Sequence, residues 1–278
     1  MLLPITIGSP VVAFLAALAV GRRPPRGKGV FVRDVRHGGT PEKMAATCRA
    51  LGLAWVTIAL AWQYENAPTK FYHVDEIPAY ASALRSAGIR VRLWAWPVPG
   101  KAAELTSAYR WVAARVRLEG FDLNPEAPYQ GAKLSTAHAD LDRLQTLGVP
   151  LSCVSYGAPI SWHPRFPWEA WARCDVGMPE LYDTGHKWGS DHQEATAVSW
   201  TRAGFRELAP VWGASDAHSP DQMRTEIEQT AAGFRDAGVR LRAGSWWDFY
   251  WLERSSRRSA VVAGYKMPDT FRTSEAVA

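Results

Sequence analysis

The sequence has few cysteines and lacks several compact motifs that mark common catalytic or cofactor-binding loops. Its three cysteines, Cys48, Cys153 and Cys174, are too far apart for a zinc site, and an odd number cannot complete a disulfide framework. There is no Gly-x-Ser-x-Gly elbow, no His-Glu-x-x-His pair and no Gly-rich phosphate loop after the first predicted strand. A serine hydrolase is therefore not favoured, and a metal-dependent hydrolase using His37 and His218 is a minor alternative. No metal and no cofactor are predicted.

Positive charge is not concentrated along the chain. The 32 Lys and Arg residues outnumber the 27 Asp and Glu residues to give a net charge of +5, but the arginines are scattered. Nucleic-acid-binding proteins usually gather basic residues on one face or helix, so no nucleic-acid partner is predicted. With 278 residues, 47% of them hydrophobic, the chain can build a sizeable core. The unusual feature is its 14 tryptophans.

The N-terminal segment 1–28 is apolar over Ile5–Val20 and then basic. An Ala-x-Ala sequence at Ala17–Ala19 favours a signal peptide, although no basic residue precedes the apolar run. A membrane anchor and a segment docked on its own domain or on a larger assembly are the alternatives. We expect an exported or cell-envelope-associated protein, with a virion-associated or cytoplasmic protein as the alternative.

A repeating pattern indicates the fold. Predicted helices end in glycine, and a short apolar run follows directly; this occurs at Gly52, Gly88, Gly120, Gly148, Gly204 and Gly238. Glycine ends a helix readily because it lacks the Cβ that makes left-handed backbone costly. The apolar runs are typical of parallel strands covered on both faces. Eight strand–helix units of about 30 residues each favour a closed parallel barrel over an open sheet.

We therefore predict an α/β protein with one (β/α)8 TIM-barrel domain over residues 29–252. The apolar segment 1–28 precedes it, and residues 253–278 form a basic and polar tail, expected as an extended arm or linker. The oligomeric state is not predicted.

Aromatic and acidic side chains recur at the predicted carboxyl ends of the strands, where the active sites of such barrels lie. The candidate substrate-binding residues are Asp34, Trp62, Trp94, Trp96, Tyr156, Glu180, Trp212, Asp216, Trp246, Trp247 and Asp248. Indole rings pack on the C–H faces of sugars, while carboxylates and amides bind sugar hydroxyls. This combination favours a polysaccharide or glycan ligand, although any single tryptophan is as well explained by core packing.

The fourth predicted strand carries the most informative motif. In Gly120–Tyr129, strand alternation places Asp122, Asn124 and Glu126 on the same face, towards the barrel mouth. Three polar groups on an interior face are costly unless they take part in chemistry or satisfy one another. A surface turn built on Pro125 and Pro128 is the alternative interpretation.

This segment resembles the strand-four signature of family 18 glycoside hydrolases, Gly-x-Asp-x-Asp-x-Glu-x-Pro, with Asn124 in place of the inner Asp. The resemblance implies that Glu126 is the general acid in a reaction in which the 2-acetamido group of the substrate attacks the anomeric carbon. It implies a supporting role for Asp122. Asn124 is expected to hold the acetamido group, as an Asn does in the related family 85 endoglycosidases.

Two further segments resemble that family. Met178–Asp183 is similar to its Met-x-Tyr-Asp motif, with a spacing two residues longer, and adds Tyr182 and Asp183 to the predicted catalytic residues. Trp246 is similar to the tryptophan at the floor of the family's sugar site. The family's Ser-x-Gly-Gly motif on strand three is absent, and Trp94–Pro97 stands there instead.

The predicted function is hydrolysis of a β-linked, N-acetylhexosamine-containing polysaccharide of the peptidoglycan or chitin type, with Glu126 as general acid. One alternative is a two-carboxylate glycosidase in which Glu180, Asp216 or Asp248 is the nucleophile or base. The other is a non-catalytic carbohydrate-binding barrel with a structural role in a virion or cell envelope, because a fold does not imply an activity.

Overall fold

The computed structural model describes residues 24–182 and 189–267. Most of the predicted N-terminal segment, residues 1–23, and the predicted site residue Asp183 lie outside the described residues. Across the two described ranges, no helix combines the length and the apolar character needed to cross a membrane.

Eight parallel strands form the centre of the molecule, as predicted. They are β1 (Gly27–Val32), β2 (Trp55–Trp62), β3 (Arg90–Trp96), β4 (Phe121–Leu123), β5 (Leu151–Tyr156), β6 (Val176–Glu180), β7 (Val211–Gly213) and β8 (Ala243–Trp247). Each strand pairs with its neighbours along the chain, and β1 pairs with both β2 and β8. The sheet is therefore closed, which confirms the (β/α)8 barrel. A two-residue strand, Lys70–Phe71, pairs antiparallel with the end of β2.

Helices connect the strands around the outside of the barrel. They are α1 (Pro41–Ala50), α2 (Ile77–Ser86), α3 (Ala102–Ala113), α4 (Leu134–Gln145), α5 (Trp168–Trp171), α6 (Ser190–Arg202), α7 (Pro220–Asp236), α8 (Phe249–Glu253) and α9 (Ser256–Gly264). Two predicted start signals are observed: the Thr40 side chain accepts from Lys43 N, and Ser219 forms a reciprocal capping box with Gln222.

Two apolar layers follow from the alternation of side chains along the strands. Phe31, Trp94 and Met178 belong to a cluster inside the barrel, whereas Val30, Leu93 and Trp212 belong to a larger cluster that includes the buried faces of the helices. A side chain's parity along its strand therefore decides whether it can approach the barrel mouth.

The tail after residue 253 differs from the predicted extended arm. Residues 256–264 form helix α9, which buries Val262 completely. Lys28 Nζ donates to the carbonyl of Val262 over 2.8 Å, and Tyr265 contacts the ring of Trp212. Burial of these apolar groups stabilises the helix on the barrel, so this part of the tail belongs to the domain.

Candidate active site

Two glutamates meet at the carboxyl-terminal end of the barrel. Glu126 lies three residues beyond the end of β4, and Glu180 is the last residue of β6. Their side chains form a hydrogen bond, and Glu180 is 9% exposed while Glu126 is half-buried. Two carboxyl groups can form such a bond only when one of them carries a proton. A single proton can therefore bridge the two carboxyl groups at the barrel mouth.

Burial and mutual proximity govern the ionisation of this pair. Burial raises the pKa of the Glu126 carboxyl well above its ordinary value, and the neighbouring Glu180 raises it further. Burial also raises the pKa of Glu180, but hydrogen bonds from Glu126, Tyr182 and Asn124 act in the opposite direction. Two adjacent carboxylates cannot both ionise easily, so the first ionisation of the pair leaves a proton that is held more tightly than on an ordinary glutamate.

Asn124 and Tyr182 complete a cluster around the pair. Asn124 is 5% exposed, and its Nδ2 donates to Glu180 Oε1 over 3.1 Å. Its Oδ1 is buried without a hydrogen-bond partner among the described residues. The Tyr182 hydroxyl hydrogen-bonds to Glu180, and burial raises the pKa of that phenol well above its ordinary value. Four of the predicted site residues therefore lie together: Asn124, Glu126, Glu180 and Tyr182.

Tyr156 lies beside the cluster on the intervening strand. It is the register partner of Glu180 on β6, and its ring stacks on His163 with 3.8 Å between centroids. Gly157 permits this packing, because a Cβ at that position would lie 1.9 Å from the carbonyl oxygen of Glu180. The close approach of the β5 and β6 backbones thus places Tyr156 next to the glutamate pair.

Asp122 points into the barrel interior and binds Arg92. The Arg92 Nη2 and Nε atoms lie 2.6 and 3.0 Å from Asp122 Oδ1. Arg92 also donates to Ser152 Oγ over 2.9 Å. Both members of the ion pair are almost inaccessible to solvent. The carboxylate that the sequence assigns to a supporting role thus has a buried cation as its partner.

Aromatic rings from β2, β3 and β8 form one wall of the mouth. Trp62 and Trp96 are half-buried and stack in parallel, with 4.5 Å between centroids and an interplanar angle of 5°. Trp94 lies below them, 1% exposed, and contacts the half-buried Trp247 edge to face at 5.1 Å. Trp62, Trp96 and Trp247 are thus partly accessible, whereas Trp94 supports them from beneath.

Two of the predicted sugar-stacking residues lie elsewhere, and that part of the prediction is wrong. Trp212 and Trp246 have no exposed surface and pack on each other at 5.1 Å in the layer between strands and helices. The Trp212 indole nitrogen donates to Thr230 on α7. Adjacent residues of a strand face opposite sides, so Trp247 points inwards and Trp246 points outwards.

Three predicted aspartates are dispersed around the rim. Asp34 accepts from Arg36 N over 2.9 Å and lies 3.4 Å from His73. Asp216 is exposed in the loop after β7. Asp248 is 1% exposed and lies 3.6 Å from Arg33. Burial raises the pKa of the Asp248 carboxyl, and the positive charge of Arg33 partly offsets that effect.

Some residues of the site were missed from sequence. Arg92 could have been found, because it shares the inward parity of Trp94 and Trp96 and lies in the middle of an apolar strand. His163 and Gln130, which contact each other and Tyr156, come from loops without a recognisable pattern. Within the described ranges, no group of three or more His, Cys, Asp or Glu side chains is arranged to hold a metal ion.

Comparisons with known proteins support the fold class. No protein-family model matches the chain, and no curated protein matches it. Among solved structures, a chitinase from Rhizomucor miehei is similar at a TM-score of 0.63 and 11% identity, covering 86% of this chain and 99% of that one. The predicted resemblance to family 18 enzymes is therefore confirmed for the fold.

Two other solved structures are similar to this chain over about the same share of its length. The spore cortex-lytic enzyme SleL of Bacillus megaterium has a TM-score of 0.57 and 9% identity, covering 88% of this chain and 76% of that one. A chitinase-like lectin from tamarind has a TM-score of 0.55 and 11% identity, covering 85% and 99%. The same barrel architecture thus occurs in two proteins described as enzymes and in one described as a lectin. The fold alone therefore does not distinguish catalysis from binding, and the residues of the site must do so.

Proposed function

We propose that this protein is a glycoside hydrolase that cleaves a β-linked glycan containing N-acetylhexosamine, with Glu126 as the general acid. The observation that carries the proposal is the Glu126–Glu180 pair at the barrel mouth, in which Glu180 is 9% exposed and Glu126 is half-buried. A proton donor must still hold its proton near the working pH, and burial beside a second carboxyl raises the pKa of Glu126 in the required direction.

The distance between the two carboxyl groups favours assistance by the substrate. Retaining two-carboxylate enzymes keep these groups about 5 Å apart and inverting enzymes about 6.5–9.5 Å apart. Glu126 and Glu180 are instead in direct side-chain contact with each other. Glu180 is thus poorly placed to act on the opposite face of a sugar, and Asp248 is covered almost completely. An acetamido group on the substrate supplies the missing nucleophile.

The residues of the cluster then have distinct tasks. Glu126 donates its proton to the glycosidic oxygen as the bond from C1 to that oxygen breaks. The acetamido carbonyl oxygen attacks C1 and forms a cyclic oxazolinium ion. Asn124 Oδ1, which has no hydrogen-bond partner among the residues that the structure describes, accepts a hydrogen bond from the acetamido N–H. The Glu126 carboxylate then takes a proton from water as that water attacks C1 and opens the ring.

Aromatic side chains on two sides of the mouth suit a chain of sugar units. The Trp62–Trp96 stack lies on the β2–β3 side, and Tyr156 with His163 lies on the β5 side. The chitin-type and peptidoglycan-type glycans proposed here share the acetamido group that the mechanism needs. Two of the similar structures are described as a chitinase and a spore cortex-lytic enzyme, which agrees with this substrate class.

The test is hydrolysis of soluble N-acetylglucosamine oligomers, followed by release of reducing ends. We expect the wild-type protein to cleave them and Glu126→Gln to lose at least about a hundredfold in rate, the usual contribution of a general acid. Oligomers of glucose, which lack the acetamido group, should remain intact. The exposed Glu65→Gln is the matched control and should keep full activity.

A non-catalytic carbohydrate-binding barrel is the second candidate. Asn124 in place of an acidic residue and the similarity to a chitinase-like lectin favour it. In that case the wild-type protein binds the oligomers in calorimetry but releases no reducing ends, and Glu126→Gln binds them equally well. Full activity of Glu126→Gln would contradict the assignment of the proton donor.

A further inference from the structure

Glu180 occupies an unusual electrostatic position within the cluster. Its carboxyl group is hydrogen-bonded to Asn124 Nδ2, to the Tyr182 hydroxyl and to Glu126. The amide and the phenol can donate to a carboxylate, and each such bond stabilises its charge. Glu180 is therefore the better place for the negative charge, and Glu126 is the better place for the proton.

The other titratable groups near the pair do not oppose this assignment. Tyr156 faces the pair from β5, and burial raises the pKa of its phenol above the ordinary value. Burial also raises the pKa values of Tyr182 and of the Cys153 thiol. All three are neutral at neutral pH. Asp248 acts on Tyr182 and adds further negative potential to this side of the mouth.

The contact with Glu180 also fixes the orientation of the Asn124 amide. Because Nδ2 donates to Glu180, Oδ1 is the atom left without a partner in the described part of the chain. Buried polar atoms are nearly always hydrogen-bonded in folded proteins. An unpartnered acceptor beside the proton donor indicates a position for an N–H donor of a ligand.

We propose that Glu180 is a positioning residue: its carboxylate keeps the transferable proton on Glu126 and turns the amide oxygen of Asn124 towards an N-acetyl group of the bound glycan. This inference rests on the proposed function for the identity of the ligand. The location of the proton does not depend on catalysis and can be measured in the free protein. Glu180 thereby replaces, from β6, a carboxylate that the strand-four segment lacks.

Two substitutions separate the two tasks. In Glu180→Gln, the new amide still has an oxygen to accept from Asn124, but its nitrogen donates to Glu126 and favours the ionised form. We expect the basic limb of the kcat/KM profile to move to lower pH by about one unit or more, while KM stays close to the wild-type value. In Glu180→Ala, Asn124 also loses its partner, so KM for N-acetylated oligomers should rise as well. The exposed Glu65→Gln is the matched control and should change neither the pH profile nor KM.

A direct titration of the Glu126 carboxyl group tests the role of Glu180 without measuring hydrolysis. Carboxyl ¹³C NMR of the full-length protein should show one glutamate, absent in Glu126→Gln, that titrates well above the others and moves to lower pH in Glu180→Gln. An unchanged titration of that glutamate in Glu180→Gln, or an ordinary pKa for it in the wild-type protein, overturns the inference even if the protein is a hydrolase. Failure to cleave any N-acetylated oligomer overturns the proposed function, while the NMR result still decides where the proton lies.

Discussion

The Arg92 guanidinium binds the Asp122 carboxylate inside the barrel, with Nη2 2.6 Å from Oδ1. Gly120 leaves the space for it, because a Cβ there would lie 2.0 Å from Arg92 Nη1. Replacing both members of a buried ion pair by apolar groups often costs no stability. Removing only one member leaves the other charge buried without a partner, which destabilises the fold. The glycine and aspartate of the strand-four segment thus serve a structural contact below the glutamate pair.

Removal of the cation alone should therefore be severe. We expect Arg92→Met to lower the free energy of unfolding by about 3–5 kcal/mol, measured by urea denaturation. Combining it with Asp122→Leu should recover much of the loss, since no buried charge is then left unpaired. Arg49→Met, an exposed change on α1, is the control. A cost for Arg92→Met no greater than that of the control would contradict the assignment.

The glutamate pair should make stability depend on pH. The pKa of Glu126 is raised in the folded state, so the folded protein binds more protons than the unfolded chain once pH exceeds the ordinary glutamate value. Stability should fall as pH rises from that value to the folded-state pKa and then level off. Glu126→Gln removes this dependence and should be more stable than wild type at neutral pH, with the difference vanishing in acid.

Urea denaturation at a series of pH values checks that prediction. The exposed Glu65→Gln should run parallel to the wild-type curve throughout. A Glu126→Gln curve that also runs parallel to wild type would show that Glu126 titrates alike in the folded and unfolded states.

The tryptophans should separate into binding and folding groups. Trp96→Ala opens the accessible stack with Trp62 and should weaken the binding of N-acetylglucosamine oligomers by about fivefold or more, with a small effect on unfolding. Trp246→Ala removes a ring with no exposed surface and should cost about 3–5 kcal/mol of stability. Calorimetric titration measures the glycan affinity of both variants, and urea denaturation measures their stability. Equal losses of affinity in Trp96→Ala and Trp246→Ala would contradict the division into binding and folding groups.

The close approach at Gly157 gives a sharper structural test. Gly157→Ala places a Cβ against the backbone carbonyl of Glu180, which cannot move aside as a flexible side chain can. We expect β5 and β6 to separate, with a loss of stability and of any glycan cleavage. Gly264→Ala, at the exposed end of α9 with open space around it, should be neutral or slightly stabilising. A fully active Gly157→Ala protein would show that the contact does not position Glu180.

The fold was predictable because its signals are local and repeated. Gly52, Gly88, Gly148, Gly204 and Gly238 each follow a helix with left-handed backbone, as predicted, and each marks one strand–helix unit. Gly120 does not, since helix α3 already ends at Ala113. Helix α9 was missed because its apolar residues, Val261 and Val262, form only one short stripe among arginines and serines. Tyr265, directly after the helix, packs on Trp212 and Trp246, which come from distant parts of the sequence.

The site was predictable in part, for a related reason. Alternation along β4 correctly brings Asp122 and Asn124 to one face, but it does not distinguish a residue that binds a buried arginine from one that faces the mouth. Alternation is equally insufficient for the adjacent residues Trp246 and Trp247. One of the two must point inwards, and only the register of β8 against β1 decides which.

Glu180 ends β6, and Glu126 lies three residues beyond the end of β4, with β5 between the two strands. The distance between their carboxyl groups is therefore set near the strand ends and does not depend on the length of the connections that follow the other strands. Changes in length or composition of the segments around Asp34 and Asp216 should therefore leave the contact between the two glutamates intact.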